Sequence, residues 1–184
     1  MTEGKQAITK ADLVARLRSS GQQAVDNLRA LSPATLEQGR YESGWNGRQI
    51  LAHIASIEWT YPRLIGIARD AQTPAAPEAG AASAPAPRSA TDVPTRPFTG
   101  GVNDYNERQV QKRAEATVAD LIAEFETNRV ATIAAVEQAD EALFAITIRS
   151  AGGITGPLAD VINAIAVLHV QGHVNDIAGP PSRG

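Results

Sequence analysis

Three histidines are the side chains in this sequence best placed to do chemistry. His169 and His173 stand four apart in Leu168-His169-Val170-Gln171-Gly172-His173-Val174-Asn175-Asp176, at the end of an apolar run that begins at Leu158. On a helix they project from one face, with Cβ atoms roughly 6 Å apart. Two neutral imidazoles at that separation can hold one divalent cation at metal–nitrogen distances of about 2.0–2.1 Å. The third, His53, lies in a second helical stretch, Gly47-Arg48-Gln49-Ile50-Leu51-Ala52-His53-Ile54. Packing of the two helices would bring all the histidine of the chain to one point. The alternative reading is three ordinary core or surface histidines. Against it stand the apolar neighbours Ile165, Leu168, Val170 and Val174, since buried imidazoles need partners and a metal supplies them. The negative end of the helix dipole also favours a cation there.

Three imidazoles leave at least one coordination position for water, a thiolate or a substrate oxygen, the layout of a catalytic rather than a structural site. Zinc is the first choice of ion, with nickel or iron as alternatives, because imidazole discriminates poorly among them. Asp176, three residues beyond His173, is a weak candidate for a catalytic residue. It reads as a fourth ligand, a proton acceptor or a solvated carboxylate. Gln49 and Asn46 lie on the His53 face one and two turns earlier; they can orient His53 or simply cap their own helix. Trp45, Arg48, Phe98 and Tyr105 are candidate cofactor-binding residues at the same end, and equally good packing or solvent residues.

The elements that would position these groups follow from periodicity. Thr9 caps a first helix whose apolar positions are Leu13, Leu17, Ala24, Leu28 and Leu31, with Gly21 a weak point and Ser32-Pro33 the stop. Asn46 starts a second helix, with Gln49 placed for a capping box. It runs toward Asp70, and Pro62 is a possible kink. Gly100-Gly101 and Asn103-Asp104 introduce a long third helix with its stripe at Val110, Ala114, Val118, Leu121, Phe125, Ile133 and Val136. The run from Ala142 to Thr155 reads as an extended segment or a hairpin. Gly156-Pro157 opens a fourth helix that continues to Ile177 and ends at Gly179-Pro180-Pro181.

Four amphipathic helices and no firm strand predict an all-α, four-helix bundle in a single domain, residues 1–184. A short first connection makes helices 1 and 2 antiparallel. His53 near the start of helix 2 meets His173 near the end of helix 4 only if those two are antiparallel as well. The Ala/Pro-rich crossover 72–97 is long enough to let helix 3 run parallel to helix 2, which gives the order up, down, down, up. Its composition cannot bury enough surface to offset ordering, so it reads as a mobile surface loop, or as a lid over the site.

Composition narrows the function classes. Net charge is −3, from 17 Lys and Arg against 20 Asp and Glu, with the basic residues scattered. Nucleic acid is therefore not an expected partner. The sequence contains no cysteine, so thiol chemistry would use a thiol supplied from outside. No signal-peptide h-region and no run near the ~20 apolar residues of a membrane span is present, so the expectation is a cytoplasmic protein off the membrane.

Trp45-Asn46, then Ile50-Leu51-Ala52-His53-Ile54, then the late His169-x-x-x-His173 resembles the DinB-like superfamily. That group includes the N-terminal domains of mycothiol-dependent maleylpyruvate isomerases and related thiol transferases. The resemblance covers the chain from helix 1 to Ile177. It implies the same up-down-down-up bundle, a divalent metal on His53, His169 and His173, and a homodimer. The isomerase branch has a carboxylate among its ligands where this chain has histidine. The function implied is that of a thiol S-transferase or isomerase in which the metal activates a low-molecular-weight thiol against an electrophile. The alternatives are a hydrolase using bound water and a non-catalytic, stress-associated metal-binding protein.

Overall fold

A computed structural model describes residues 7–39, 44–72 and 100–178. The 72–97 crossover (beyond Gln72), Phe98 and the Gly179-Pro180-Pro181 stop lie outside the described residues. The chain is mostly helical, as the all-α expectation requires. Helices α1 (Lys10–Arg29), α2 (Pro33–Leu36), α3 (Gly47–Glu58), α4 (Pro62–Gln72), α5 (Gly101–Gln111) and α6 (Val118–Gln138) are followed by a 3-10 turn, Glu141–Ala145. A two-stranded antiparallel hairpin comes next, β1 (Thr147–Arg149) and β2 (Thr155–Pro157). The chain closes with α7 (Leu158–Ile162), a π-helical segment Asn163–Leu168, and α8 (His169–Ala178). No helix among the described residues is long and apolar enough to cross a membrane.

Local sequence explains most of the boundaries. Thr9 and Asp12 cap α1 reciprocally, side chain to backbone in both directions. Asn46 and Gln49 do the same for α3 at 2.9 Å each way, which satisfies two of the amides that a helix start leaves open. The predicted second helix is two. It stops at Glu58 and resumes at Pro62, whose nitrogen has no hydrogen to donate to the preceding turn. The predicted third helix is also two, because Thr117 and Asp120 form a fresh capping box ahead of α6. Between Ala142 and Thr155 the open choice resolves to a hairpin, with Ile148 fully buried and its neighbours Thr147 and Arg149 exposed. Pro157 ends β2 and stands just before the first residue of α7.

Packing sets the depth at which side chains meet. α3 and the final helix run against each other: Gly47 meets Ile177, and Tyr61, just past the end of α3, meets Ile165. A Cβ on Gly47 would sit 3.1 Å from both Ile177 Cγ2 and the Leu36 backbone. Only glycine lets α2, α3 and α8 close to this distance. Along α3 and α6 contacts advance together, Arg48 to Ala116 and Asn128 to Ala55, so these two are parallel. α1 and α6 are antiparallel, with Arg18 on Glu137 and Arg29 on Glu126.

Two apolar clusters fill the interior. One gathers Leu13, Leu17, Leu64, Phe144, Leu158 and Val161; the other Leu28, Ile50, Leu51, Ile54, Phe125, Val170 and Ile177. A polar layer separates them. Arg129 of α6 is 4% exposed and Glu58 of α3 is 0% exposed, with 2.8 Å between Arg129 Nε and Glu58 Oε1. The guanidinium also donates to the carbonyls of Leu17 and Ala166 and to Ser20 Oγ. One side chain thereby ties α1, α3, α6 and the π segment together. Gly21, the expected weak point of α1, is where Arg129 passes: a Cβ there would lie 3.1 Å from Arg129 Cγ.

Candidate metal centre

His53 is carried by the middle of α3 and is 4% exposed. His169 opens α8, and His173 follows one turn on. The antiparallel match of α3 with the last helix brings the three rings together, with centroids 5.6 Å apart for His53–His169, 5.1 Å for His53–His173 and 4.4 Å for His169–His173. One nitrogen from each ring falls within 4.8 Å of the other two. The Nε2 atoms of His169 and His173 are 2.8 Å apart; two ligands on a tetrahedral ion at 2.0–2.1 Å would stand about 3.3 Å apart.

The π segment contributes to this convergence. Its wider turn, with bonds to the fifth rather than the fourth residue, rotates the next turn of the chain relative to a regular helix, and His169 is the first residue beyond it. Two carbonyls of the segment are engaged from neighbouring elements: Tyr61 Oη donates to Ile165 at 2.9 Å and Arg129 Nη2 to Ala166 at 2.7 Å. The register of the last helix is thus held by bonds from α6 and from the break between α3 and α4.

The electrostatics favour the ligand form of imidazole. Burial holds the His53 ring at a pKa of about 3, with the neighbouring His173 and His169 adding to the effect. Burial likewise lowers His173 to about 4, helped by His169 and opposed by Asp176. His169 is lowered by burial against a hydrogen bond to the Ile165 carbonyl and the Asp176 charge. All three are therefore neutral at pH 7. His53 Nδ1 is buried with no hydrogen-bond partner among the described residues. Neutral, converging imidazoles with an orphaned ring nitrogen fit a divalent ion bound through nitrogen.

The remaining candidate residues divide clearly. Asp176 Oδ2 lies 3.4 Å from His173 Nδ1, on the side of that ring away from His169. That is the place of a group that orients a ligand and selects its tautomer. Asn46 and Gln49 are committed to their reciprocal cap. Asn46 Nδ2 also donates to Glu37. Trp45 packs its ring 5.3 Å from that of His53 and donates from Nε1 to Glu107 at 3.1 Å. Arg48 donates to the Ala116 carbonyl and stands 3.7 Å from Glu37, which makes it a tie between elements. Tyr105 lines a cavity that adjoins the histidines.

That cavity has no counterpart among the sequence expectations. It has a volume of about 350 Å³ and is walled by Ile57, Leu64, Ile67, Val102, Ile154 and Ile165, with His53 and His169 at one side. It takes residues from α3, the break between α3 and α4, α4, α5, the hairpin turn, the π segment and α8, so no local pattern announces it.

No protein-family model matches the chain, and no curated protein matches it. Among solved structures it is similar to the crystal structure of a mycothiol-dependent maleylpyruvate isomerase, at 15% sequence identity and a TM-score of 0.64, over 94% of this chain and 63% of that one. A histidine-to-alanine mutant of that enzyme aligns with the same TM-score and coverage at 13% identity. The likeness is one of fold. The chain has the DinB-like, maleylpyruvate isomerase N-terminal-like fold, and it spans a little under two thirds of the length of the proteins that share it.

Proposed function

We propose that His53, His169 and His173 hold one divalent metal ion and that the chain is a metal-dependent S-transferase or isomerase acting through a low-molecular-weight thiol. The observation that carries this reading is three neutral imidazoles from two helices converging beside an apolar cavity. When bound, such an ion supplies Lewis acidity that favours the thiolate form of a thiol at neutral pH. The three imidazoles would hold the ion, and two of them, His53 and His169, line the cavity. Asp176 keeps the His173 ring in its orientation, Trp45 packs beside His53, and the cavity walls exclude water from an electrophile held there. Zinc as the resident ion, an up-down-down-up four-helix arrangement, a homodimer and a cytoplasmic location belong to the same reading. The nitrogen-only donor set suits zinc, nickel and iron alike, and the helix directions support the second of these. The homodimer rests on the family resemblance alone, and the location on the sequence.

One observation favours a second reading. Among the described residues lining the cavity there is no carboxylate, and the ionisable side chains there besides the histidines are Tyr61, Arg63 and Tyr105. A metal-binding protein without turnover fits that lining as well.

The deciding experiment is metal content by mass spectrometry for the wild type and His169→Ala, followed by cobalt substitution and titration with several thiols. We expect roughly one ion per chain in the wild type, loss in the variant, and a sulfur-to-cobalt charge-transfer band with one of the thiols. Metal without a band in any titration moves the assignment to the non-catalytic reading. Absence of metal after reloading refutes both.

A further inference from the structure

The cavity beside the histidines carries a ligand preference of its own. Its walls are largely aliphatic. Of the polar side chains that touch it, Thr60 Oγ1 donates to the Ile57 carbonyl, Tyr61 Oη to the Ile165 carbonyl, and Ser150 Oγ accepts from the Ile154 amide, while Tyr105 and Asn106 line it from α5. Arg63, on the first turn of α4, is the one charged side chain among the described residues of its lining. It makes no ion pair with any described carboxylate, and its guanidinium lies 3.8 Å from the centroid of the Trp59 ring, an exposed stacking that leaves the planar edge of the fork open. An aliphatic wall with one uncommitted guanidinium at its rim is complementary to an apolar molecule bearing a single anionic group.

We propose that this cavity binds a monocarboxylic acid with an apolar body, the body against Ile57, Leu64, Ile67 and Ile154 and the carboxylate on Arg63. An acid of this class whose apolar body carries a double bond activated by an adjacent carbonyl would be the electrophile of the proposed S-transferase or isomerase: the thiolate sulfur adds at the β-carbon, the π pair moves to the α-carbon and a proton is taken up there. That function supplies the identity of the reaction, whereas the binding preference stands on the cavity alone. Desolvation sets the limits of the class. A short dicarboxylate would leave its second charge against aliphatic wall, and an uncharged analogue would forgo the guanidinium.

The test is calorimetric titration of the full chain, metal-free and zinc-loaded, with 4-phenylbutyrate, 4-phenylbutanol and succinate, for the wild type, Arg63→Gln and Ile154→Asp. Both substitutions are at exposed positions and leave the core intact. We expect the wild type to bind 4-phenylbutyrate about three- to tenfold more tightly than the alcohol, and succinate most weakly. Arg63→Gln brings acid and alcohol to equal affinity. Ile154→Asp, which adds negative charge at the rim, weakens the acid more than the alcohol. Quenching or shift of Trp59 emission on binding the acid, absent in Arg63→Gln, gives a second signal. Equal binding of acid and alcohol by the wild type, a preference that survives Arg63→Gln, or no binding of any of the three overturns the proposal. A preference that appears only with zinc and survives Arg63→Gln places the carboxylate on the ion and overturns it too. Metal content is read separately, so failure here is distinguishable from failure of the metal-site reading.

Discussion

Two polar clusters share α3, and they are finished in opposite ways. In the Arg129–Glu58 layer the guanidinium is shared among a carboxylate, two carbonyls and a hydroxyl, all supplied by the protein. In the histidine cluster a buried ring nitrogen is left without a protein partner among the described residues, and two of the rings, His53 and His169, line a cavity. The clusters are near neighbours in sequence: His53 and Glu58 share α3, and Ala166 precedes His169 by three residues. The difference separates scaffold from site. A polar group buried for structure has its charge met by the chain itself: Arg129 Nε and Glu58 Oε1, neither of which makes an aligned hydrogen bond, stand 2.8 Å apart as an ion pair. A polar group left open inside is a place where something else is expected to bind.

The contrast is broken most forcefully at Arg129. Arg129→Met leaves Glu58 buried without its counter-charge, and we expect a loss of about 3–5 kcal/mol in urea unfolding. Adding Glu58→Gln should recover much of it. The loss should also depend on pH. Burial holds the Glu58 carboxyl up at about 7 in the folded chain, against an ordinary 4.5 and against the pull of Arg129. A group raised in this way contributes stability that is fully present below about pH 4.5 and lost as pH rises through 7. Removing Arg129 raises it further, so the deficit of the variant should be larger at pH 8 than at pH 5. Equal deficits at the two pH values would mean that Glu58 is not the group left stranded.

His53→Ala tests the open cluster. Without metal it should change stability little near neutral pH, since it removes an imidazole with an unmet nitrogen. With zinc at about a hundred times its Kd the wild type should gain roughly 2.7 kcal/mol that the variant does not, read as a zinc-dependent shift in melting temperature. The metal-free wild type should also lose stability as pH falls from 6.5 toward 4 and 3, the values at which His173 and His53 take up protons in the fold. Depressed folded-state values mean that the unfolded chain binds those protons first. His53→Ala should flatten that slope.

Asp176→Ala sharpens the comparison at a group outside both interiors. The carboxylate is half-exposed, so folding should hardly change. His173 Nδ1 loses its acceptor, and zinc affinity should fall about 10- to 100-fold in a competition titration. Unaltered affinity would return Asp176 to a solvated carboxylate. Tyr61→Phe links the two regions and has the smallest expected effect. It removes one hydrogen bond to the Ile165 carbonyl, worth about 0.5–1.5 kcal/mol. It should alter the spectrum of the cobalt-substituted protein if the π segment sets the position of His169.

Much of the site was readable along the chain because its signals are local. The spacing of His169 and His173 is a property of one helix, and the reciprocal caps at Thr9–Asp12 and Asn46–Gln49 each close within four residues. The same kind of signal stood at Thr117 and Asp120, but the apolar stripe from Val110 to Val136 continues through the break and hid it. Arg129 had no local signal at all. A charged residue within an amphipathic stretch reads as solvent-facing, and nothing near it in sequence announces Glu58 or the Leu17 carbonyl. Arg63 was missed for the same reason.

The sequence by itself determined the helical class, several of the helix starts and the pair of histidines on one helix face. Each of these comes from interactions that close within a turn or two. Only the tertiary structure decided that His53 stands at the depth of that pair, that Arg129 unites four elements, and that an aliphatic cavity opens beside the rings. Those depend on how far one helix slides along another. That registration is set by close approaches such as Gly47 against Ile177 and by bonds to the π segment, and neither leaves a period in the sequence.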